Sequence, residues 1–587
     1  MGSKAFDIIL FGATGFTGRF IAKYIHKQDT DIKWAIAGRS QSKLSLLMSD
    51  LLNMQSQRNL PDILIADATD SKSLADICGE ARIVLNCTGP FRFLGKEVVE
   101  ACLKAQCTYM DICGEPQFME QCFLDYHDKA IENNVLILHA CAFDSVPADL
   151  GALFTMRQFD PLKCTAIESF LTIDCPKGLK GHFTTYESAV HGMGDLKVLK
   201  EIRKEIKKKY QPPLIHTIGP KLSRVTTYKF EERVNKYVIP FMGSDASVVR
   251  SSQRTLAMRS GQIQWPQYTA CVTLSDFYTV AATSFYGSVF SGLSGSSWGR
   301  SLLLSYPETF SDGIFSKTGP TKEQLDNTSF QMHFFAKGFN SFDKTNEKNA
   351  EIEQNESENE KRKEKKVDEG IERKKVKSIN GFRGDPILLR TEVASTQKLT
   401  KPCSVSALWS SKNKSLKVED SRREGAGTDK IEIENENKVD ENSLNKHVHV
   451  VVKGQEPGYV ATPGIFFALA MCVLEERNIL PSGGVLTPSS AFYNSPTVFT
   501  RLSRIGLEFQ VLSSSEGISS SAGLFEELGS EELGNDKITD DARDEILGEG
   551  LIIENIDSKN RNEERILKVE ERDDHRYSGE FIDPKKM

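Results

Sequence analysis

The chain has 587 residues, 39% of them apolar and 26% charged, and a formal net charge of −7. At that length it accommodates about two to four domains with sizeable cores, which excludes a peptide or a disulfide mini-protein. Residues 1–339 with 446–525 carry 42 Lys and Arg against 39 Asp and Glu, residues 340–445 carry 22 against 22, and residues 526–587 carry 10 against 20; the acidic surplus belongs to the C-terminal stretch, and the near-neutral body has no basic face to displace counterions, so nucleic-acid binding is set aside.

Phe6-Asp-Ile-Ile-Leu-Phe11 is a short apolar run of the length of a buried parallel strand. It leads directly into Gly12-Ala-Thr-Gly-Phe-Thr-Gly18 and then into a helical pattern from Arg19 to Ile25. A second strand is expected at Trp34–Ala37, before Gly38-Arg39-Ser40 and a helix through Leu52. Further strands are expected at 63–66, 83–87, 109–112 and 135–139, with helices over 71–79, 95–105 and 116–133. Alternation of this kind predicts an α/β fold, a doubly wound parallel Rossmann sheet covered by helices on both faces. After about residue 155 the alternation stops: 164–174, 225–232 and 267–275 read as strands around a polar helix at 195–209, a pattern for a second, mixed α/β domain. The expected organisation is a dinucleotide-binding domain at 1–155, a substrate and dimerisation domain formed by 156–339 and 446–515, a disordered insert at 340–445 and a disordered acidic tail at 516–587. Within the insert, 22 of the 36 residues 343–378 are charged, too few apolar groups to offset the entropy of ordering. The runs 329–335 and 448–452 on either side of it read as the two strands of one hairpin.

Cys87, Cys102, Cys107, Cys113, Cys122 and Cys141 fall inside these strands and helices, and no Cys-x-x-Cys pair occurs. Buried reduced thiols are expected rather than a disulfide framework or a metal site. The first residues lack the apolar core of a signal peptide, and Phe6 stands where a myristoylation motif needs Ser or Thr. An intracellular, non-secreted chain is expected.

The spacing Gly12-x-x-Gly15-x-x-Gly18 between a strand and a helix points to a dinucleotide. The backbone has to turn sharply, approach a pyrophosphate and let helix pack on strand, while the helix N-terminus supplies N–H donors. At the end of the second strand an unmodified ribose wants a carboxylate, but Arg39 and Ser40 stand there, a pair suited to a 2′-phosphate, so NADP is favoured over NAD. Arg39 also reads as an ordinary surface arginine. Asp67 follows the third strand, where it would meet the adenine amino group or cap a helix. Asn86-Cys-Thr-Gly-Pro90 follows the fourth strand, on the nicotinamide side, and is a turn in either case.

Together with later blocks, these residues bring a family into view. FGATGFTGRF (11–20), AGRS (37–40), VLNCTGPFRFLGKEVVEAC (84–102), YMDICGEPQF (109–118), FDSVPADLG (143–151), IPFMGSDASVVRSSQR (239–254), GYVATPGIFFALAM (458–471) and GGVLTP (483–488) resemble the saccharopine dehydrogenase-like oxidoreductases. The resemblance implies a Rossmann domain, a mixed second domain and nicotinamide chemistry in the cleft between them. By position it implies Gly12, Ala13, Thr14, Gly15, Phe16, Thr17, Gly18 and Arg39 at the dinucleotide, Asn86, Thr88 and Gly89 near the nicotinamide, and Asp111, Gly114, Glu115 and the turn 143–147 along the cleft wall. Members of this branch carry a strongly apolar stretch where this chain has Phe277–Gly299, 23 residues without a charge but interrupted by Ser and Gly. A monotopic contact with a lipid droplet or membrane, or else a buried core segment, is expected of it. The insert and the acidic tail lie outside the resemblance.

Two functional classes follow. In the first the chain is an NADP-dependent oxidoreductase acting on a small-molecule or lipid-related substrate, with Asp111, Glu115, Asp144 and His182 as candidates for the proton that accompanies hydride transfer. No tyrosine has Lys four residues on, which disfavours short-chain dehydrogenase chemistry. In the second class the chain is a non-catalytic nucleotide-binding scaffold at a lipid surface. The expected setting is the cytoplasmic face of a droplet or membrane, or a mitochondrion, and a homodimer is possible.

Overall fold

Short strands of three to six residues, alternating with helices, build the first half of this computed structural model, which describes residues 4–54, 60–159, 163–213, 215, 219–262, 264–339 and 444–516. Strands β1 (Phe6–Phe11), β2 (Trp34–Gly38), β3 (Asp62–Ile65), β4 (Ala81–Asn86), β5 (Thr108–Asp111) and β6 (Leu136–Leu138) alternate with helices α1 (Phe16–Lys27), α2 (Gln41–Asn53), α3 (Ser71–Glu80), α4 (Phe91–Lys104) and α5 (Pro116–Glu132). All pair in parallel, and the order β6-β5-β4-β1-β2-β3 reverses direction between β4 and β1. That reversal opens the crevice in which doubly wound sheets hold their ligands. Because both faces of the sheet are covered, β2 is buried at every position, as a continuous apolar run requires.

The fold is the expected α/β one, with three differences of detail. Helix α4 starts at Phe91, four residues before the expected start at 95, with Pro90 at its N-cap. The stretch 225–232 contributes only the short strand Lys229–Glu231. The third concerns the last part of the chain: Gly484–Leu486 pairs in parallel with β6 and becomes the seventh strand of the first sheet. The helix Thr462–Glu475 packs against α1, with Tyr24 and Phe467 rings 6.1 Å apart. Together with its preceding turn from Pro457 this helix is apolar and long enough to cross a bilayer, alone among the described residues, but 78% of it is buried in the core.

The second sheet is mixed. β7 (Cys164–Asp174) lies parallel to β11 (Gln267–Leu274) and antiparallel to β13 (Ser329–Gly338); β14 (Lys446–Gln455) and β16 (Glu508–Glu516) extend it on one side, β10 (Lys236–Pro240) and β9 (Lys229–Glu231) on the other. β8 (Gly181–His182), β12 (Phe315–Ser316) and β15 (Gly484–Leu486) complete the strands. β13 and β14 pair over ten residues from Ser329↔Gln455 to Gly338↔Lys446, so the hairpin expected on either side of the insert is formed. Residues 340–443 and 517–587, which hold nearly all of the insert and tail, lie outside the described residues.

Helix α6 (Val146–Met156) joins the sheets. Nine of its eleven residues are buried, as for a helix with no solvent face. A Cβ on Gly151 would come within 2.3 Å of the Phe334 ring on β13, so small size at this position sets the spacing between helix and sheet. Gly151→Ala is expected to lower the unfolding free energy of the chain by about 1–3 kcal/mol through overpacking. Chemical denaturation of the two proteins measures it, and equal midpoints would show that Phe334 moves aside freely.

Candidate functional site

β1 ends at Phe11, and Gly12 turns away with φ of 82°, its N–H donating to the Ala37 carbonyl at 2.9 Å and that of Ala13 to the same oxygen at 3.2 Å. A Cβ on Gly12 would lie 2.8 Å from Thr88 Cγ2, and one on Gly18 would lie 2.3 Å from the Gly12 carbonyl oxygen. Glycine is required at the first position by backbone sign and by the neighbouring strand, and at the second by the packing of α1 on the turn. Gly15 is the N-cap of α1 and offers no capping side chain, so the first N–H groups of the helix are left for an anion, helped by the helix dipole. Ala13 is buried, while Thr14, Phe16 and Thr17 are half-buried. This cradle fits a pyrophosphate.

Arg39 is exposed beyond β2, and Ser40 is the N-cap of α2, its hydroxyl accepting from the Lys43 N–H at 3.4 Å. Asp67 bonds locally, accepting from the N–H and hydroxyl of Thr69 at 2.9 and 2.8 Å. The Thr69 N–H holds its carboxyl below the ordinary range, with a smaller contribution from the positive charge of Arg39. Arg39, Ser40 and Asp67 thus come together at the carboxyl ends of β2 and β3. Helix α3 is capped by Asp70, which accepts from Lys72 and Ser73.

At the ends of β4, β5 and β6 a polar row is completely buried. Asn86 is in register with Asp111, and Met110 with Leu138, which sets Asp111 beside His139. Asn86 accepts from the Thr88 N–H and hydroxyl at 3.0 and 2.6 Å, and donates to the Tyr109 hydroxyl at 3.1 Å. Tyr109 donates to Asp111 at 2.9 Å, and His139 Nδ1 lies 2.7 Å from the same carboxylate oxygen. The other oxygen accepts from the N–H groups of Cys113 and Ala140 at 3.1 and 3.0 Å. A carboxylate can only accept, so His139 carries its proton on Nδ1 here. Glu115 is similarly enclosed: it accepts from the Phe91 N–H at 3.0 Å, Ser188 Oγ at 3.1 Å and Arg92 Nε at 2.7 Å, and Arg92 reaches Asp195 at 2.6 Å. Asp111 and Glu115 therefore hold loops together beneath the surface and do not face the open side.

Asp144 does face it. It is exposed, and poor solvation by the neighbouring protein raises its carboxyl above the ordinary value. A Cβ on Gly114 would come within 2.4 Å of Asp144 Oδ2, so Gly114 makes room for this carboxyl. Ser145 and Ser244 hydroxyls meet at 2.9 Å, and Ser244 Oγ donates to the Asp144 carbonyl at 3.2 Å. They seat α9 (Asp245–Ser260) behind it. Asp245, 2% exposed, is pushed well up by burial, with repulsion from Asp144 and Asp149 added. His182 precedes α7 (Phe183–Gly194), accepts from the Thr184 N–H at 3.3 Å and stacks on Phe16. Burial lowers its pKa. Tyr459, in the π-helical turn Pro457–Ala461, closes the same corner; burial pushes its hydroxyl up to about 12.

The structure thus gathers the glycine turn, the Asn86–Gly89 turn, Asp144 and His182 at one edge, and sets Asp111 and Glu115 below it. Sequence reasoning missed Tyr459, Arg92, His139 and Asp245. The matching blocks 84–102, 239–254 and 458–471 contain Arg92, Asp245 and Tyr459, but nothing in linear spacing shows that they converge. Among the described residues no group of three or more His, Cys, Asp or Glu is arranged to hold a metal.

Comparison with known proteins places the chain among relatives. The family model described as saccharopine dehydrogenase NADP binding domain matches residues 8–138. A saccharopine dehydrogenase-like oxidoreductase of Mus musculus is 33% identical over 524 residues, covering 87% of this chain and 99% of the relative. A Caenorhabditis elegans protein named lipid droplet localized protein is 26% identical over 522 residues, covering 86% of this chain and 98% of that one. Among solved structures, saccharopine dehydrogenase (L-Glu forming) of Saccharomyces cerevisiae superposes with a TM-score of 0.43 at 10% identity, covering 86% of this chain and 100% of that one.

Asp149 on α6 supplies a pH test. It accepts from Ser252 Oγ and the Ser489 N–H, each at 2.8 Å, yet burial pushes its carboxyl up to about 6. An acid raised on folding is protonated in the native state where the unfolded chain is ionised. Stability therefore falls as pH rises through the window from its ordinary 3.8 to about 6. Asp149→Asn is expected to remove about 3 kcal/mol of that fall, measured by denaturation at pH 4 and pH 7. Parallel pH dependences in the two proteins would show that Asp149 stays ionised in the native state.

Proposed function

The chain belongs to the saccharopine dehydrogenase-like oxidoreductase family, and from that premise we propose that it transfers hydride between NADP(H) and a carbonyl or imine carbon of a small or lipid-related molecule. The observation that carries this reading is a glycine turn packed against Thr88, with an exposed carboxyl, Asp144, against Gly114 in the loop that follows β5 of the same sheet. NADP(H), when bound, supplies the hydride chemistry. The chain's part is to bind, orient and handle a proton. Gly12 to Gly18 and the first N–H groups of α1 hold the pyrophosphate, Arg39 and Ser40 the 2′-phosphate, Asp67 the adenine side, and Thr88 and Gly89 the nicotinamide side, with Asn86 buried beneath and setting the Thr88 turn. Asp144, whose carboxyl is raised above its ordinary value by poor solvation, is the group we assign to the proton at the reacting oxygen or nitrogen.

Fluorescence titration of the purified chain with NADPH and NADH tests the cofactor. Arg39→Ser is expected to weaken NADPH binding about tenfold or more and to leave NADH nearly unchanged; equal losses for both would overturn the 2′-phosphate assignment. Asp144→Asn is expected to bind NADPH as the wild type does and to lose turnover on a panel of carbonyl, imine and lipid-ketone substrates. NADPH binding without wild-type turnover on any of them would favour the scaffold instead.

A second reading, attachment to a lipid surface, is favoured by α10 (Phe277–Ser294). Of its eighteen residues only Val280 and Ser294 are buried, which favours a surface contact over a core segment. Tyr278 is 83% exposed and Phe285 65%, and Trp298, at the start of α11 (Ser297–Ser305), is 70% exposed. No charge interrupts this face. Ser284 and Ser288 donate back to the carbonyls of Val280 and Ser284, each at 2.7 Å, so two of its hydroxyls are satisfied within the helix. An aromatic, uncharged helix face of this kind suits the boundary between water and lipid. The name of the nematode relative points the same way. Flotation with phosphatidylcholine-coated triolein droplets is expected to recover the wild-type chain, and several-fold less of a Tyr278→Ser, Phe285→Ser, Trp298→Ser variant; equal recovery would remove this helix from any such role.

A further inference from the structure

Phe16 opens α1 directly after Gly15, but its ring does not lie free over the turn. It stacks on His182 with centroids 4.2 Å apart and 12° between planes, and meets Tyr459 edge-on at 4.9 Å. Phe20 lies 5.5 Å from it on the same helix and 5.3 Å from Tyr459. On another side, a Cβ on Gly319 would come within 2.5 Å of Phe16 Cζ. A residue of the dinucleotide turn is thus wedged among three segments distant in sequence, near residues 182, 319 and 459.

Each partner is held from behind by backbone bonds. The Tyr459 hydroxyl accepts from the His182 N–H at 2.9 Å. The buried Glu456 carboxylate accepts from the N–H groups of Gly458, Tyr459 and Val460 at 2.8, 2.6 and 3.0 Å, which sets the turn that carries Tyr459. The His182 ring accepts from Thr184 and so caps α7.

We propose that His182 and Tyr459 are dinucleotide-positioning residues that act through Phe16, clamping the glycine turn from the second half of the molecule. The inference rests on the NADP(H) site proposed above. Donors of a turn hold a pyrophosphate only while the turn keeps its shape, and Phe16 ties that shape to α7 and to the turn 457–461. Removing the clamp frees the turn once ligand is bound, so its effect falls on departure more than on arrival.

Stopped-flow fluorescence of NADPH on the full chain tests this. His182→Ala is expected to raise the dissociation rate about five- to tenfold, the size of one aromatic pair, with the association rate nearly unchanged. His182→Phe, which keeps a ring on Phe16, is expected to restore the wild-type rate, a rescue that a general loss of stability would not show. Phe16→Leu is expected to match His182→Ala, and the double variant to add nothing further. A wild type that binds NADPH with His182→Ala dissociating at the same rate overturns the clamp alone. Absence of NADPH binding by the folded wild type overturns the site and the clamp together.

Discussion

A carboxylate shut away from water must have its lone pairs answered by the protein, and Asp111 meets that demand with four donors from two stretches of the chain, 109–113 and 139–140. Because two of them are the backbone N–H groups of Cys113 and Ala140, the same charge shapes the loops that leave β5 and β6. Because a third is Tyr109, whose hydroxyl also receives the Asn86 amide, the constraint extends to β4 and to Thr88, whose methyl presses on Gly12. Losing one member would leave a buried charge or dipole unpaired, at a cost of about 1–3 kcal/mol or more. The position of the nucleotide turn thus depends on a residue two strands away that touches no solvent.

The second dependence is long-range in sequence. The first sheet takes its last strand from residues 484–486, and α1 is backed by the helix 462–475, both reached only after the chain has built most of the second sheet. Arg92, wedged between Glu115 and Asp195, ties the start of α4 to the start of α8 (Leu196–Tyr210). The wall facing the crevice therefore comes from both halves. A crevice made this way changes shape only if the halves move, which is where a ring such as Phe16, rooted in one half and held by the other, has leverage.

Much of this was legible in the residues. The parallel strands, the glycine turn, the mixed second sheet and the hairpin across residues 340–445 follow from apolar run length, helical period and Gly placement. What misled was polarity without context. Asp111 and Glu115 have the chemistry of proton carriers, and only the folded chain shows that both are shut away from water and held by backbone N–H groups. The uncharged stretch 277–299 had two readings, contact with lipid or burial in the core, because composition does not say how much of a helix its neighbours cover; in the structure Phe290 and Leu293 pack inward while only Val280 and Ser294 of α10 are buried.

By itself, the sequence determined the local order: which segments are strands or helices, where the backbone must be glycine, and that a basic residue, not an acidic one, ends the second strand. Those are properties of neighbours within about a turn of helix or a length of strand, and periodicity reports them. Only the tertiary structure decided which acid is buried and which faces the open edge, that the chain returns to complete its first sheet, and that Phe16, His182 and Tyr459 meet. Such choices depend on burial and on contacts between residues hundreds of positions apart, and both are settled by packing.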